Sequence, residues 1–256
     1  MNLEPLNPRT GTQAPEHQSN LRTGLEGSRI VAIAEVLLCS TVPTQTLIGW
    51  ILLMAGWVPF DGAGQLSPAF VLILSVTDTL LVIGLMVVLT RAHGERVADL
   101  WLGRRPSWPE ARYGALLIPV VALLVVVLMN VVRLVAPSLH NVPTNPLERM
   151  AGTPAQAAML AVVAIFAGGV REELQRAFLL RRFEQHLGGA GVGVVVLSIG
   201  FGLGHFVQGW DAMITTGLLG AFWAVLYLRR RSTVAPLVSH AGFNALEVLR
   251  VAIAGA

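Results

Sequence analysis

The chain has 256 residues, of which 54% are hydrophobic and only 13% charged, with a formal net charge of +3. Soluble domains carry about 25% charged residues, so this composition excludes a soluble globular enzyme, a disordered chain and a nucleic-acid binder. All 18 basic residues are Arg, which removes any Lys nucleophile or Schiff base, and the single Cys39 removes an intrachain disulfide and a Cys-based zinc cluster. A polytopic membrane protein remains.

Residues 1–29 are polar and rich in Pro, Gly, Asn, Gln and Thr, which predicts a disordered tail. They hold no apolar h-region and do not read as a cleavable signal peptide. Apolar runs of spanning length then recur at roughly 30–56, 68–91, 113–136, 154–175, 189–207, 211–229 and 233–254. A crossing helix needs about 20 residues and lipid requires each span to satisfy its own backbone. The expected fold is therefore all-α, a bundle of about seven transmembrane helices. Pro43 interrupts the first run. The fourth run continues as the amphipathic stretch RAFLLRRFEQHL up to Gly188. The glycines of GAGVGV sit within an apolar helix and read as packing residues. Three regions result: the tail 1–29, N-terminal helices with a cytoplasmic loop at 30–112, and a core at 113–256.

Arginine counts set the expected orientation. The tail and the segments 91–112, 181–188 and 229–232 together hold 13 Arg, whereas the alternate loops hold only Arg149. This predicts a cytoplasmic N-terminus, an outer C-terminus and a place in a plasma membrane, expected to be bacterial.

Arg133, Arg171, Arg176 and Arg250 lie within or near spans. Each costs at least about 2.5–3.5 kcal/mol at the bilayer centre unless paired or hydrated. The densest charge cluster is R-E-E-L-Q-R at 171–176, which also fits a solvated helix end. Two further polar groups favour a site. His205 ends F-G-L-G-H in the fifth run, and His240 and Asn244 share one face of the seventh. Glu172 lies 16 residues before Gly188 and His205 lies 16 after Gly189, so in a hairpin both stand about 24 Å from the turn. A carboxylate, two imidazoles and an amide form a hydrolytic set. A Glu in a low-dielectric pocket could act as general base toward water, one His could hold that water, and a second His with Asn could donate to an oxyanion. No Ser or Cys nucleophile stands beside a base, which favours direct attack by water.

E-E-L-Q-R at 172–176, F-G-L-G-H at 201–205 and H-A-G-F-N at 240–244 resemble the three ordered motifs of the CPBP intramembrane proteases. These include type II CAAX prenyl endopeptidases and the bacteriocin-processing and self-immunity proteins, and the family is also called lysostaphin-resistance-like. The resemblance covers roughly 115–254 and makes residues 113–256 a CPBP-like protease core. It implies a glutamate-dependent peptidase in which Glu172 activates water, His205 assists, and His240 and Asn244 stabilise the oxyanion. Glu173, Arg176 and Phe201 would be supporting residues. The family places Arg five residues after the first Glu, whereas Arg176 follows Glu172 by four. Either the glutamates align and a bulge absorbs one missing residue, or the Arg aligns and Arg171 stands where the family has its catalytic Glu.

No cofactor is expected. The alternative is zinc on Glu172, His205 and His240, although the contiguous H-E-x-x-H motif is absent. The expected partners are a peptide or membrane-protein substrate and the lipid bilayer, with no nucleic acid. Two other functions fit the same composition. One is a non-catalytic immunity or scaffold protein of this fold. The other is an ion-coupled transporter using Glu35, Asp78 and the 172–176 cluster, against which no internal repeat is visible.

Overall fold

A computed structural model describes residues 28–254 with the exception of residue 63. Residues 1–27 of the expected tail lie outside the described residues, and Ser28 and Arg29 already belong to the first helix. The described residues form helices and no strand beyond one isolated bridge between Phe60 and Leu66. The all-α expectation holds.

Helices α1 (Ser28–Leu38) and α2 (Val42–Met54) meet at a 41° bend. Pro43 sits in the first turn of α2 and Thr41 before it is left-handed, with φ 71°. Proline is tolerated there because its missing N–H would have had no helical partner, so the break falls where Pro43 predicts it. Helix α3 (Pro68–Ala92) starts on a Ser67 cap, whose hydroxyl accepts from the Phe70 amide. The short α4 (Val97–Trp101) precedes α5 (Ser107–Val135). The fourth run opens on a Thr153 cap and is built of α6 (Pro154–Val162), a π-helical segment (Val163–Arg171) and α7 (Glu172–His186). It turns at Gly188 and Gly189, both with positive φ, into α8 (Ala190–Leu203). Helices α9 (Trp210–Arg230) and α10 (Val234–Ala254) complete the bundle.

Every predicted apolar run is helical, yet only α3, α5 and α9 are long and apolar enough to cross a membrane, or four spans if the bent α1–α2 pair is one. The expected count of seven is not reached by that measure. Helix α8 has only 14 residues. The fourth run carries Arg171, Glu172, Glu173 and Arg176, and α10 carries His240, Asn244, Glu247 and Arg250, which dilute their apolar character. The apolar window of α5 is only 6% buried in the bundle. Such an exposed apolar surface suits lipid and not water.

The core lies between the first and last helices of this order. Phe178 and Leu179 of α7 pack on Cys39, Val82 and Met86, while Trp223 and Leu219 of α9 pack on Val121 of α5. Helix α10 runs against α5 and the π segment. The second approach depends on Gly169, where an added Cβ would stand 2.6 Å from the Ala241 Cα. Any larger residue would push α10 away from the fourth run.

Charged side chains tie one end of the bundle together. Arg182, almost fully buried, lies 2.6 Å from Glu35 and 3.1 Å from Glu95, and Arg181 donates to Glu95 at 3.1 Å. His93 closes on Glu35 at 2.6 Å, and Arg231 reaches Glu184 at 2.8 Å. Partial burial pushes the Glu95 carboxyl up. The Gln185 hydrogen bond and the Arg182 and Arg181 guanidiniums outweigh it and hold the group below the usual carboxylate value. A depressed folded-state pKa stabilises the fold above the unfolded value, about 4.3 for Glu, and the gain is lost as pH falls through the folded value. Glu95→Gln is therefore expected to lower the melting temperature of detergent-solubilised protein at pH 7, with the gap to wild type closing below about pH 4.3. A gap of constant size across that range would contradict the assignment.

Candidate active site

All four Arg singled out within or near spans have carboxylate partners. Arg133 donates to Asp211 at 2.8 Å, Arg171 to Asp78 at 3.0 Å, and Arg250 to Glu148 at 2.7 Å. Arg176 pairs with Glu173 one helical turn away. Pairing is what the cost of an uncompensated charge in lipid demands. Two of these pairs, Arg171 with Asp78 and Arg176 with Glu173, lead into one polar group.

That group centres on His240 of α10. Its Nδ1 lies 2.8 Å from Glu173 Oε1 and its Nε2 lies 3.9 Å from Glu172 Oε2. Adjacent helical residues point about 100° apart, and the imidazole spans the gap between the two carboxylates. The ring is fixed from one side by the Trp223 indole, stacked at 3.7 Å with an interplanar angle of 15°. Trp223 is held in turn by its Nε1–H, which donates to Ser239 Oγ at 3.1 Å. Arg176 lies over the rings of Phe201 and Trp223, at 4.9 and 5.8 Å, so its charge is met by one carboxylate and two π faces.

Glu173 and Glu172 occupy different surroundings. The Glu173 side chain is 1% exposed and both its partners are buried. The Glu172 side chain is 17% exposed, and its Oε1 accepts from Arg171 Nη2 at 3.3 Å. One carboxylate is sealed in and the other faces free space on one edge.

A π-helical segment precedes the two glutamates, and such turns recur at functional sites. The bulge expected between Glu173 and Arg176 is not formed, because residues 172–176 are regular α-helix. The segment also seats Asn244, whose Nδ2 donates to the Ala164 carbonyl at 2.8 Å. A Cβ at Gly168 would stand 2.8 Å from that same nitrogen. One amide hydrogen of Asn244 is thus engaged and the other is free to donate.

His205 lies just beyond the end of α8. Its Nδ1 is 2.8 Å from the Phe201 carbonyl, which can only accept, so Nδ1 carries the hydrogen and the neutral ring offers Nε2 as an acceptor. Its ring packs on Phe201 at 4.9 Å, and Phe201 packs on His240 at 6.1 Å. No hydrogen bond or ion pair joins His205 to Glu172 or His240 among the described residues. The structure thus brings Glu172, Glu173, Arg176 and His240 into direct contact, seats Asn244 beside the π segment, and connects His205 through Phe201. Among the described residues no group of three or more His, Cys, Asp or Glu side chains is arranged to hold a metal ion. Glu172 and Glu173 are met by guanidiniums, and the Nδ1 atoms of both His205 and His240 are engaged.

Sequence reasoning missed Trp223 and Arg171 as parts of this group. Nothing in a span marks which aromatic residue will face a given imidazole. The density of charge at 171–176 was the available signal for Arg171. A cleft of about 670 Å³ opens on the side of α4, lined in part by Arg91, Arg96, Trp101, Leu174 and Leu237. Leu174 adjoins Glu173, and Leu237 precedes His240 by one helical turn.

An apolar helical bundle thus encloses paired carboxylates, two imidazoles and an amide. Residues 153–246 match the family model described as Type II CAAX prenyl endopeptidase Rce1-like, which supports the resemblance of this segment to the CPBP intramembrane proteases. No curated protein and no solved structure gives a match. The match and the apolar helices mark an integral membrane protein, similar over residues 153–246 to a family of proteases.

Proposed function

We propose that the protein is an intramembrane endopeptidase that hydrolyses peptide bonds with water activated by Glu172. The observation that carries this reading is the pair of opposed carboxylates on His240, one sealed and salt-bridged, the other with an oxygen left open at 3.9 Å from the ring. Glu172 Oε2 takes a proton from water, and the hydroxide forms a bond to the carbonyl carbon of the scissile peptide. His205 Nε2 accepts from the same water and holds it in line. The oxyanion is met by the free amide hydrogen of Asn244 and by Nε2 of His240. When the tetrahedral adduct collapses, the C–N bond breaks and Glu172 returns its proton to the leaving amine.

The substrate is a peptide or a membrane protein in or beside the bilayer. The test is digestion of a mixture of synthetic peptides, with and without an isoprenylated cysteine, by purified protein in detergent and mass spectrometry of the products. Cleavage by wild type and none by Glu172→Gln is the expected result. No cleavage by wild type across the mixture would favour a non-catalytic member of the fold.

The Arg asymmetry supports a cytoplasmic N-terminus and an outer C-terminus. Reporters fused at residues 100 and 231 are expected on the cytoplasmic side and those at 62 and 256 outside. An alkaline-phosphatase fusion map that reversed any adjacent pair would overturn this orientation.

A further inference from the structure

Asp78 lies on α3, outside the residues that match the family. It is fully buried. Its Oδ1 accepts from the Thr44 hydroxyl, and its Oδ2 from Gln45 Nε2 at 3.2 Å and Arg171 Nη1 at 3.0 Å. Two helices of the N-terminal region therefore converge on a single residue of the fourth run. Arg171 is itself buried and uses all three nitrogens. Nε donates to the Ala167 carbonyl at 3.3 Å, Nη1 to Asp78, and Nη2 to Glu172 Oε1 at 3.3 Å.

This division matters for Glu172. A guanidinium with one carboxylate neighbour pairs with both of its oxygens, in the favoured bidentate geometry. Asp78 claims one end of the fork, so Arg171 holds Glu172 by Oε1 alone. Oε2 is left on the His240 side, where the proposed water must lose its proton. We propose that Asp78 is a positioning residue for Glu172, acting through Arg171: it restrains the guanidinium to one carboxylate oxygen and keeps the other free to work as the base. This rests on the reading of Glu172 as base given above.

The test compares Asp78→Asn, Arg171→Gln and the double variant, using the peptide that wild type cleaves in the mixture. Asp78→Asn keeps the acceptor for Thr44 and removes the charge that restrains Arg171. Its kcat is expected to fall by about 10- to 100-fold, below the full loss of a base, with KM changed by less than about twofold because bound-substrate contacts are untouched. Removing the cation as well should restore part of the rate, so the double variant is expected to turn over faster than Asp78→Asn alone. A merely structural role moves kcat and melting temperature together and leaves the double variant the slowest, which would overturn the proposal. If Asp78→Asn does not fold, Arg171→Lys decides. A point charge cannot bridge both carboxylates in fixed geometry, and a wild-type kcat there would sink the idea. Glu172→Gln is the control for the underlying reading. An active Glu172→Gln removes the base assignment and this inference together, whereas an inactive one with wild-type kcat in Asp78→Asn removes this inference alone.

Discussion

Glu172→Gln is expected to abolish turnover while leaving the fold intact. The amide is isosteric with the carboxylate and still accepts from Arg171 through its carbonyl oxygen, so the contact at 3.3 Å survives. What it cannot do is take a proton from water. Loss of one positioned base costs about 10²–10⁴ in rate, and the assay must resolve at least that span. Because Glu172 is one of the less buried members of the cluster, with its side chain 17% exposed, the melting temperature should change little. Retention of wild-type cleavage by Glu172→Gln would mean that another group is the base. Glu173 would be the first to test, since it shares the same imidazole.

The positions of the helices were legible because lipid imposes a simple rule on them. Apolar length marked the runs, Pro43 marked the break between α1 and α2, and the glycines at 188 and 189 marked the hairpin between α7 and α8. Crossing capacity was less legible. The expectation of seven spans treated the fourth and seventh runs as apolar, although their charged and polar residues shorten their lipid-compatible stretch. The short α8 was extended in expectation because its apolar run continues past Leu203, where the chain in fact turns. At the site, His240 and Asn244 share a face by helical period alone, and the i, i+3 pair of Glu173 and Arg176 forms as spacing predicts. The π segment before Glu172 left no trace in the motif spacing; Gly168 and Gly169 within it approach α10, a packing relation between distant segments. The same holds for Asp78. The sequence offered it only as a relay residue of a transporter, and its partner Arg171 lies 93 residues away.

Glu173→Gln is expected to damage stability as well as rate, in contrast to its neighbour. Glu173 is the sealed carboxylate, and Arg176, itself 6% exposed, has no other carboxylate partner among the described residues. Neutralising Glu173 leaves Arg176 with the faces of Phe201 and Trp223. An exposed cation–π contact is worth about 0.5–1 kcal/mol and a desolvated one about 2 or more, whereas breaking a buried ion pair by removing one partner costs about 3–5 kcal/mol. The π faces therefore offset only part of the loss, and a clear drop in melting temperature should follow. The carbonyl oxygen of the substituted amide could still accept from His240 Nδ1, so the ring keeps its place but loses the negative charge beside it, and kcat should fall too. The decisive comparison adds Arg176→Met. Replacing a buried pair with apolar residues of similar volume is often neutral or stabilising, so Glu173→Gln combined with Arg176→Met should recover most of the melting temperature without recovering the rate. Equal melting temperatures for wild type and Glu173→Gln would show that water reaches Arg176, and the division of labour between the two glutamates would have to be redrawn.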